Sequence, residues 1–371
     1  MEPLRRFNDV CGDPASYARS WKAKTGGKVI GTLCSYAPDE LILAGGALPF
    51  RIAGGSGNIS KADAHLQTYA CSLIRGALED ALDGRLDFLD GAVFPHTCDG
   101  MQRLSDIWRI NTGVGFHLDL VLPVKLNTPS AKTYMTAVLR RARIHLESLL
   151  GRAITDNDLK KAIDTVNGIR SLMRRLYDIR RDRPGAIAGS AVHTVLRAGA
   201  VMDRTDFLDL LSQVVNALER PIESRGGSGK RIFLSGGVCN LGDIYPIIET
   251  AGGIVVGDDL CTGYRNWTGL VDFGGDPLAA IADRYVRRAA CPAKHAGVTR
   301  RGEDMVRLAR ETRAEGVIFL LFKFCDPHAF DYPYLKSILD AEGIPSLLLE
   351  VEEPASQGQF ATRCEAFMEM L

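Results

Sequence analysis

Three short cysteine motifs carry most of the chemical information in this chain: Ala70-Cys71-Ser72, Thr97-Cys98-Asp99-Gly100 and Phe324-Cys325-Asp326-Pro327. Each cysteine stands where a hydrophobic run gives way to polar residues. Thiolates are soft donors and select zinc, copper(I) or iron–sulfur clusters. Structural zinc usually takes close pairs such as C-x2-C, and the sequence contains none. Ligands this far apart suit a cluster held between distant parts of the fold. Three protein thiolates on a cubane leave one iron open, which a catalytic cluster needs. A lone cysteine at a strand end is also commonly a small buried hydrophobe, so the residues alone leave both readings open.

The chain has nine cysteines. Six of them (Cys34, Cys71, Cys98, Cys239, Cys261 and Cys325) fall at expected strand ends or loop–helix junctions. The other three, Cys11, Cys291 and Cys364, sit in helical or terminal contexts and read as bland. Weaker signals accompany them. Gly226-Gly227-Ser228-Gly229-Lys230 resembles a phosphate loop but precedes a strand instead of following one, and reads as a hinge. Ser235-Gly236-Gly237-Val238 reads as a tight turn or a close backbone approach. His96 and His328 stand beside cysteine motifs as candidate proton donors, with polar loop residues as the plainer reading. Arg174, Arg175, Arg180, Arg181 and Arg183 read as a solvated helix face.

The elements that must position these residues follow from hydrophobic patterning. An amphipathic helix is expected over 13–25, a strand over 28–33, a helix over 39–44 and a strand over 48–52. A Gly/Ser loop spans 54–60, and a helix over 64–83 carries Cys71 in or near its first turns. Strands follow at 91–95 and 118–123. Residues 130–225 are helical throughout. Four apolar strands then begin near 231, 253, 316 and 345, and a helix over 358–370 closes the chain. Alternating strands and helices indicate parallel sheets in an α/β fold. The expected units are 1–129, a helical linking segment 130–225, and 226–371. Ligands bind such sheets outside the carboxyl ends of the strands. That rule puts Cys34, Cys98, Cys239, Cys261 and Cys325 on the loop side, where two facing sheets would let them meet in a cleft.

The 371 residues can fill several cores, and 46% hydrophobic and 24% charged residues are ordinary for a globular protein. The 45 basic and 45 acidic residues cancel, which argues against nucleic acid as a partner. No apolar run is long enough to span a bilayer, and the N-terminus lacks the core of a signal peptide. A cytoplasmic protein without membrane partners is expected.

At these residues the chain resembles the 2-hydroxyacyl-CoA dehydratase and benzoyl-CoA reductase family of iron–sulfur subunits. The resemblance covers nearly the whole length. It includes Gly31-Thr32-Leu33-Cys34-Ser35-Tyr36-Ala37-Pro38-Asp39-Glu40-Leu41, Thr97-Cys98-Asp99-Gly100 and Asp258-Asp259-Leu260-Cys261-Thr262-Gly263. It continues through Phe324-Cys325-Asp326-Pro327-His328 and Thr362-Arg363-Cys364-Glu365. It implies two Rossmann-like units joined by a helical segment, with a [4Fe–4S] cluster on Cys71, Cys98 and Cys325 in the cleft between them. It further implies an anaerobic oxidoreductase or lyase acting on an acyl-CoA, a partner subunit of the same fold, and an ATP-dependent iron–sulfur activator that delivers single low-potential electrons. One branch of similar proteins is homodimeric and reduces small molecules on a double-cubane [8Fe–9S] cluster. On that reading Cys34, Cys239 and Cys261 hold the second cubane. A non-catalytic electron relay is the third reading.

Overall fold

The computed structural model describes residues 1–54, 58–220, 229–238, 243–272, 274–297, 299–352 and 357–371. Cys239, most of the expected 226–229 hinge and the middle of the 54–60 loop lie outside the described residues.

The chain opens with α1 (Glu2–Gly12) and α2 (Pro14–Thr25). The first sheet follows: β1 (Val29–Thr32), α3 (Asp39–Ala44), β2 (Leu48–Arg51), α4 (Ser72–Leu82), β3 (Gly91–His96), α5 (Asp99–Asn111) and β4 (Phe116–Val121). Four helices come next: α6 (Pro129–Leu150), α7 (Asp156–Asp182), α8 (Gly189–Val201) and α9 (Arg204–Glu219). The second sheet is built from β5 (Lys230–Gly236), α10 (Ile244–Thr250) and β6 (Gly253–Asp259), then α11 (Tyr264–Trp267), α12 (Pro277–Arg287) and α13 (Arg300–Glu311). It is completed by β7 (Gly316–Phe322), α14 (Asp326–Ala341) and β8 (Ser346–Val351), and α15 (Gln357–Met370) closes the chain.

Both sheets are fully parallel, with the same order: β2-β1-β3-β4 and β6-β5-β7-β8. Interior strands β3 and β7 are near-continuous apolar runs because both faces are covered. Every residue of β7 is buried, and so is β3 up to Pro95. Edge strand β4 alternates instead, with Leu118 and Leu120 buried and Asp119 and Val121 exposed. In each sheet the connections diverge after the second strand in space, between β1 and β3 and between β5 and β7. That reversal opens a crevice at the carboxyl edge of a parallel sheet.

Two expectations need correction. The helix expected over 64–83 begins only at Ser72. Leu66 is drawn into the core, and a turn closed by the Ala70 N–H on the Gln67 carbonyl interrupts the chain before Cys71. The arginine stretch on α7 is not a solvated face throughout. Arg180 is fully buried, donating from Nε to the Val255 carbonyl at 2.6 Å and from Nη1 to Asp258 at 3.3 Å. Helical periodicity alone does not distinguish a guanidinium facing water from one facing a buried carboxylate on a neighbouring strand.

The end of β5 explains one glycine. A Cβ on Gly236 would stand 2.1 Å from the Leu320 carbonyl oxygen of β7, so only glycine permits the approach of the two strands at the crevice.

A buried ion pair crosses the elements. Glu40, in the first turn of α3, accepts from Arg170 of α7 at 2.5 Å, with side chains 0% and 4% exposed. Burial pushes the Glu40 carboxyl up, but Arg170 and then Arg284 of α12 outweigh it and hold it below the usual carboxylate range. Its stabilising contribution is therefore complete above the ordinary glutamate pKa and is lost as pH falls through the lowered folded value. The α12 helix packs on α6, and Val271, Leu278, Ile281 and Tyr285 share a core with Ile30, Leu41 and Val93 of the first sheet. Glu40→Gln should lower the unfolding free energy by about 3 kcal/mol, because one partner of a buried pair is left alone. Urea denaturation at pH 7 measures the loss, and a change within error of wild type would contradict this account.

Candidate functional site

Cys71, Cys98 and Cys325 line one cavity of about 590 Å³. The first two come from the first sheet's connections and the third from the second sheet. Cys98 ends the segment after β3 and Cys325 the segment after β7, so each sits beside the crevice of its own sheet. Cys71 reaches the same space from the start of α4.

All three occupy the residue that caps a helix N-terminus: Cys71 on α4, Cys98 on α5 and Cys325 on α14. Such positions present unpaired backbone N–H groups and the positive end of the helix dipole. N–H groups of Leu73 and Ile74 favour the Cys71 thiolate, that of Met101 favours Cys98, and that of His328 favours Cys325. Burial still dominates and raises all three thiols. Cys98 is pushed up to about 11, with the neighbouring Cys71 and Cys34 sulfurs adding to the effect. Burial thus opposes ionisation of all three sulfurs, and the helix termini offset part of that cost. A cationic group bound to the sulfurs would remove that penalty.

Among the described residues, no three His, Cys, Asp or Glu side chains converge closely enough to hold a single metal ion. Three thiols spread around a cavity match the separated corners of a polynuclear cluster better than one ion. The donor set therefore fits an iron–sulfur cluster and not a mononuclear zinc knuckle.

Local backbone geometry aims Cys325. Phe324 adopts φ = 64°, a left-handed conformation unusual for a residue with a side chain. The Cys325 N–H then reaches the Phe322 carbonyl at 3.0 Å. His328 lies one turn into α14 and is buried, not a polar loop residue. Its Nδ1 is 3.2 Å from Cys325 Sγ, and its Nε2 is 3.4 Å from Arg265 Nη2. A guanidinium only donates, so in the tautomer that accepts from Arg265 at Nε2 the ring proton sits on Nδ1 and faces the sulfur; the Gly236 carbonyl is a second acceptor for the ring. Burial, together with Arg265 and Arg301, pushes the imidazole well below its ordinary value and keeps it neutral. His96 lies at the end of β3, with Nε2 2.8 Å from Asp119.

A second group of thiols stands beside the first. Cys261 follows β6 and is hydrogen-bonded to Cys291. Cys34, which accepts from Thr97 Oγ1 at 3.7 Å, acts electrostatically on both Cys98 and Cys291. Cys291 reads as bland in the sequence, but the tertiary structure puts it in the loop after α12 against Cys261. No sequence signal near Cys291 points there. The hydrogen bond from Cys291, offset by burial and supported by Arg265, lowers the Cys261 thiol and raises that of Cys291. Cys11 and Cys364 lie in α1 and α15, and Cys364 is fully buried, as hydrophobes would be.

Alternating charges join the two groups. Asp331 lines the cavity and pairs with Arg301 at 2.7 Å, Arg301 reaches Asp259 at 3.4 Å, and Asp259 pairs with Arg265 at 3.5 Å. Arg265 Nη2 donates to the Gly236 carbonyl and lies 3.3 Å from Cys261 Sγ. Around the cavity mouth, Tyr69, Val124, Phe324 and Phe330 are exposed, Phe330 by 86%. Among the described residues no helix is long and apolar enough to cross a membrane.

Comparison with known proteins agrees in length and type. The 2-hydroxyglutaryl-CoA dehydratase D-component family matches residues 34–371. The chain is 28% identical to the (R)-phenyllactyl-CoA dehydratase beta subunit of Clostridium sporogenes, covering 98% of this chain and 97% of that protein. It is 30% identical to a benzoyl-CoA reductase subunit of Thauera aromatica, over 92% and 90%. It is 27% identical to the (R)-2-hydroxyglutaryl-CoA dehydratase beta subunit of Acidaminococcus fermentans, over 99% and 98%.

Replacing Arg265 should expose its structural weight. Arg265→Met leaves the buried Asp259 carboxylate without this cation and should cost about 3–5 kcal/mol of unfolding free energy. Peptide-resolved alkylation at pH 7 should also slow at Cys261, whose thiolate loses a neighbouring charge. Unchanged stability together with unchanged Cys261 reactivity would refute this role.

Proposed function

The chain belongs to the 2-hydroxyglutaryl-CoA dehydratase D-component family and is an enzyme subunit of the 2-hydroxyacyl-CoA dehydratase or benzoyl-CoA reductase type; from that premise we propose that it is an iron–sulfur subunit whose [4Fe–4S] cluster is held by Cys71, Cys98 and Cys325. The observation that carries this reading is that three thiols from three distant segments line one cavity, each at a helix N-terminus. When bound, such a cluster supplies one electron at low potential for reduction of an acyl-CoA thioester or an aromatic ring.

The protein's own groups have definable tasks. The backbone N–H groups at the starts of α4, α5 and α14 stabilise negative sulfur without carrying a titratable proton. His328 donates from Nδ1 to the Cys325 sulfur and stays neutral, so it adds a hydrogen bond without adding charge. Leu66 and Ile74 form an apolar wall of the cavity beside Cys71. The exposed apolar rim of Tyr69, Val124, Phe324 and Phe330 suits burial by a partner subunit of the same fold, as the beta-subunit names of the relatives accord with. The proposal further assigns an ATP-dependent iron–sulfur activator as electron donor, an acyl-CoA as substrate and a cytoplasmic, anaerobic setting.

A second reading has one observation in its favour. Cys34 and Cys261 lie beside the first three thiols, which suits a homodimeric double-cubane [8Fe–9S] protein in which Cys239 completes the second set. Metal analysis on protein purified without oxygen separates the readings. About four irons and four sulfides per chain are expected for one cubane. Cys71→Ala, Cys98→Ala and Cys325→Ala should each abolish the brown chromophore, while Cys291→Ala should leave it. Clearly more iron, lost on Cys239→Ser, selects the double cubane. Zinc without sulfide would overturn both. Failure to bind any acyl-CoA, with the partner subunit present, would reduce the chain to an electron relay.

A further inference from the structure

Lys294 is a buried ammonium that lines the same cavity as Cys71, Cys98 and Cys325 and is only 5% exposed. No carboxylate among the described residues pairs with it. Among the described residues its ammonium makes one hydrogen bond, to the His96 carbonyl at 3.5 Å. Burial pulls its pKa down, and the groups that pull it back up are sulfurs: Cys34, Cys291 and Cys98. Cys98 belongs to the first thiol group, and Cys34 and Cys291 to the second.

Its position is set by backbone contacts. The Lys294 N–H closes a turn on the Cys291 carbonyl at 2.9 Å. The neighbouring His295 N–H donates to the Val124 carbonyl at 2.8 Å, and the Leu126 N–H donates back to the His295 carbonyl at 2.7 Å. The segment after α12 is thereby fastened to the segment after β4. Burying an ammonium costs several kcal/mol unless an anion faces it. Neutral thiols do not meet that requirement, whereas sulfur that has lost its protons does.

We propose that Lys294 is the counter-cation of the anionic sulfur in this cavity, and that it sets how tightly a group bound there holds an added electron. The second half rests on the cluster reading above. An added electron makes a thiolate-bound cluster more negative, and a fixed cation nearby in a poorly solvated site favours that reduced form. Lys294 is thus a charge-setting residue and not a ligand.

The test compares wild type, Lys294→Gln and Lys294→Arg by EPR-monitored redox titration, with iron and sulfide counted in each. Lys294→Gln should keep its cluster but hold the electron at least tenfold less tightly, a fall in midpoint of ~59 mV for a one-electron couple. Lys294→Arg keeps the charge and should titrate close to wild type. An unchanged midpoint in a fully loaded Lys294→Gln protein overturns the proposal, and so does an equal fall in Lys294→Arg. A second measurement needs no cluster. In metal-free protein at pH 9, alkylation of Cys98 should be roughly threefold slower in Lys294→Gln than in wild type. Equal rates overturn the counter-cation role. Absence of iron from the wild type would instead count against the cluster reading, and the alkylation rates would then decide on Lys294 alone.

Discussion

Buried guanidinium groups hold the pieces of this protein in the arrangement that lets distant thiols share a cavity. Arg170 ties α7 to Glu40 beside the first sheet. Arg180 ties the same helix to Asp258 at the end of β6, and Tyr177 donates to that carboxylate at 2.7 Å. Arg288 donates to Ser35 Oγ at 3.0 Å and lies over the Tyr36 ring at 4.0 Å, fastening the end of α12 to the loop after β1. Tyr285 OH adds a bond to the Ala37 carbonyl at 2.8 Å. Such contacts are weak evidence of net stability, since the same volume filled by apolar groups would often do as well. Their geometric consequence is firmer. A buried guanidinium must meet its carboxylate or carbonyl partners, so each fixes one relative placement of two elements.

That placement brings the carboxyl edges of the two sheets toward one cavity, and with them the starts of α5 and α14. The α4 N-terminus supplies the third side. Donor sulfur at three helix termini is costly to bury when neutral thiols have no strong partner, and costlier still when ionised without a cation. Among the described residues the cavity wall supplies one buried cation, Lys294, and the His328 ring lies within hydrogen-bonding reach of Cys325. Lys294 is held by the segment after α12, while His328 sits on α14 beside the thiol it faces and is oriented by Arg265 of α11.

Much of the fold was legible in the residues. The run Val317-Ile318-Phe319-Leu320-Leu321-Phe322 reads as a strand covered on both faces, and β7 is one. Pro38 with Asp39 and Glu40 reads as a helix start, and α3 begins at Asp39. Local pattern misleads where tertiary context overrides it. The apolar spacing before Cys71 continues upstream and points to a helix over 64–83, but Leu66 packs inward and the helix starts at Ser72. Arg180 lies on a helix rich in arginine, and only the position of Asp258 on another element takes it out of solvent.

For the site, the residues alone give the candidates: which cysteines follow strands, and therefore which reach the carboxyl edges of parallel sheets. That is a local property, because strand direction and the crossover rule fix the edge where each loop emerges. Which loops share a cavity depends on contacts between distant segments. The tertiary structure joined Cys71, Cys98 and Cys325, set Cys291 against Cys261, and brought Lys294 to the same wall from a segment with no motif of its own. Contacts between residues far apart in the chain depend on how two sheets dock. Docking is governed by the summed burial of many side chains and a few buried charges, which no short window of sequence contains.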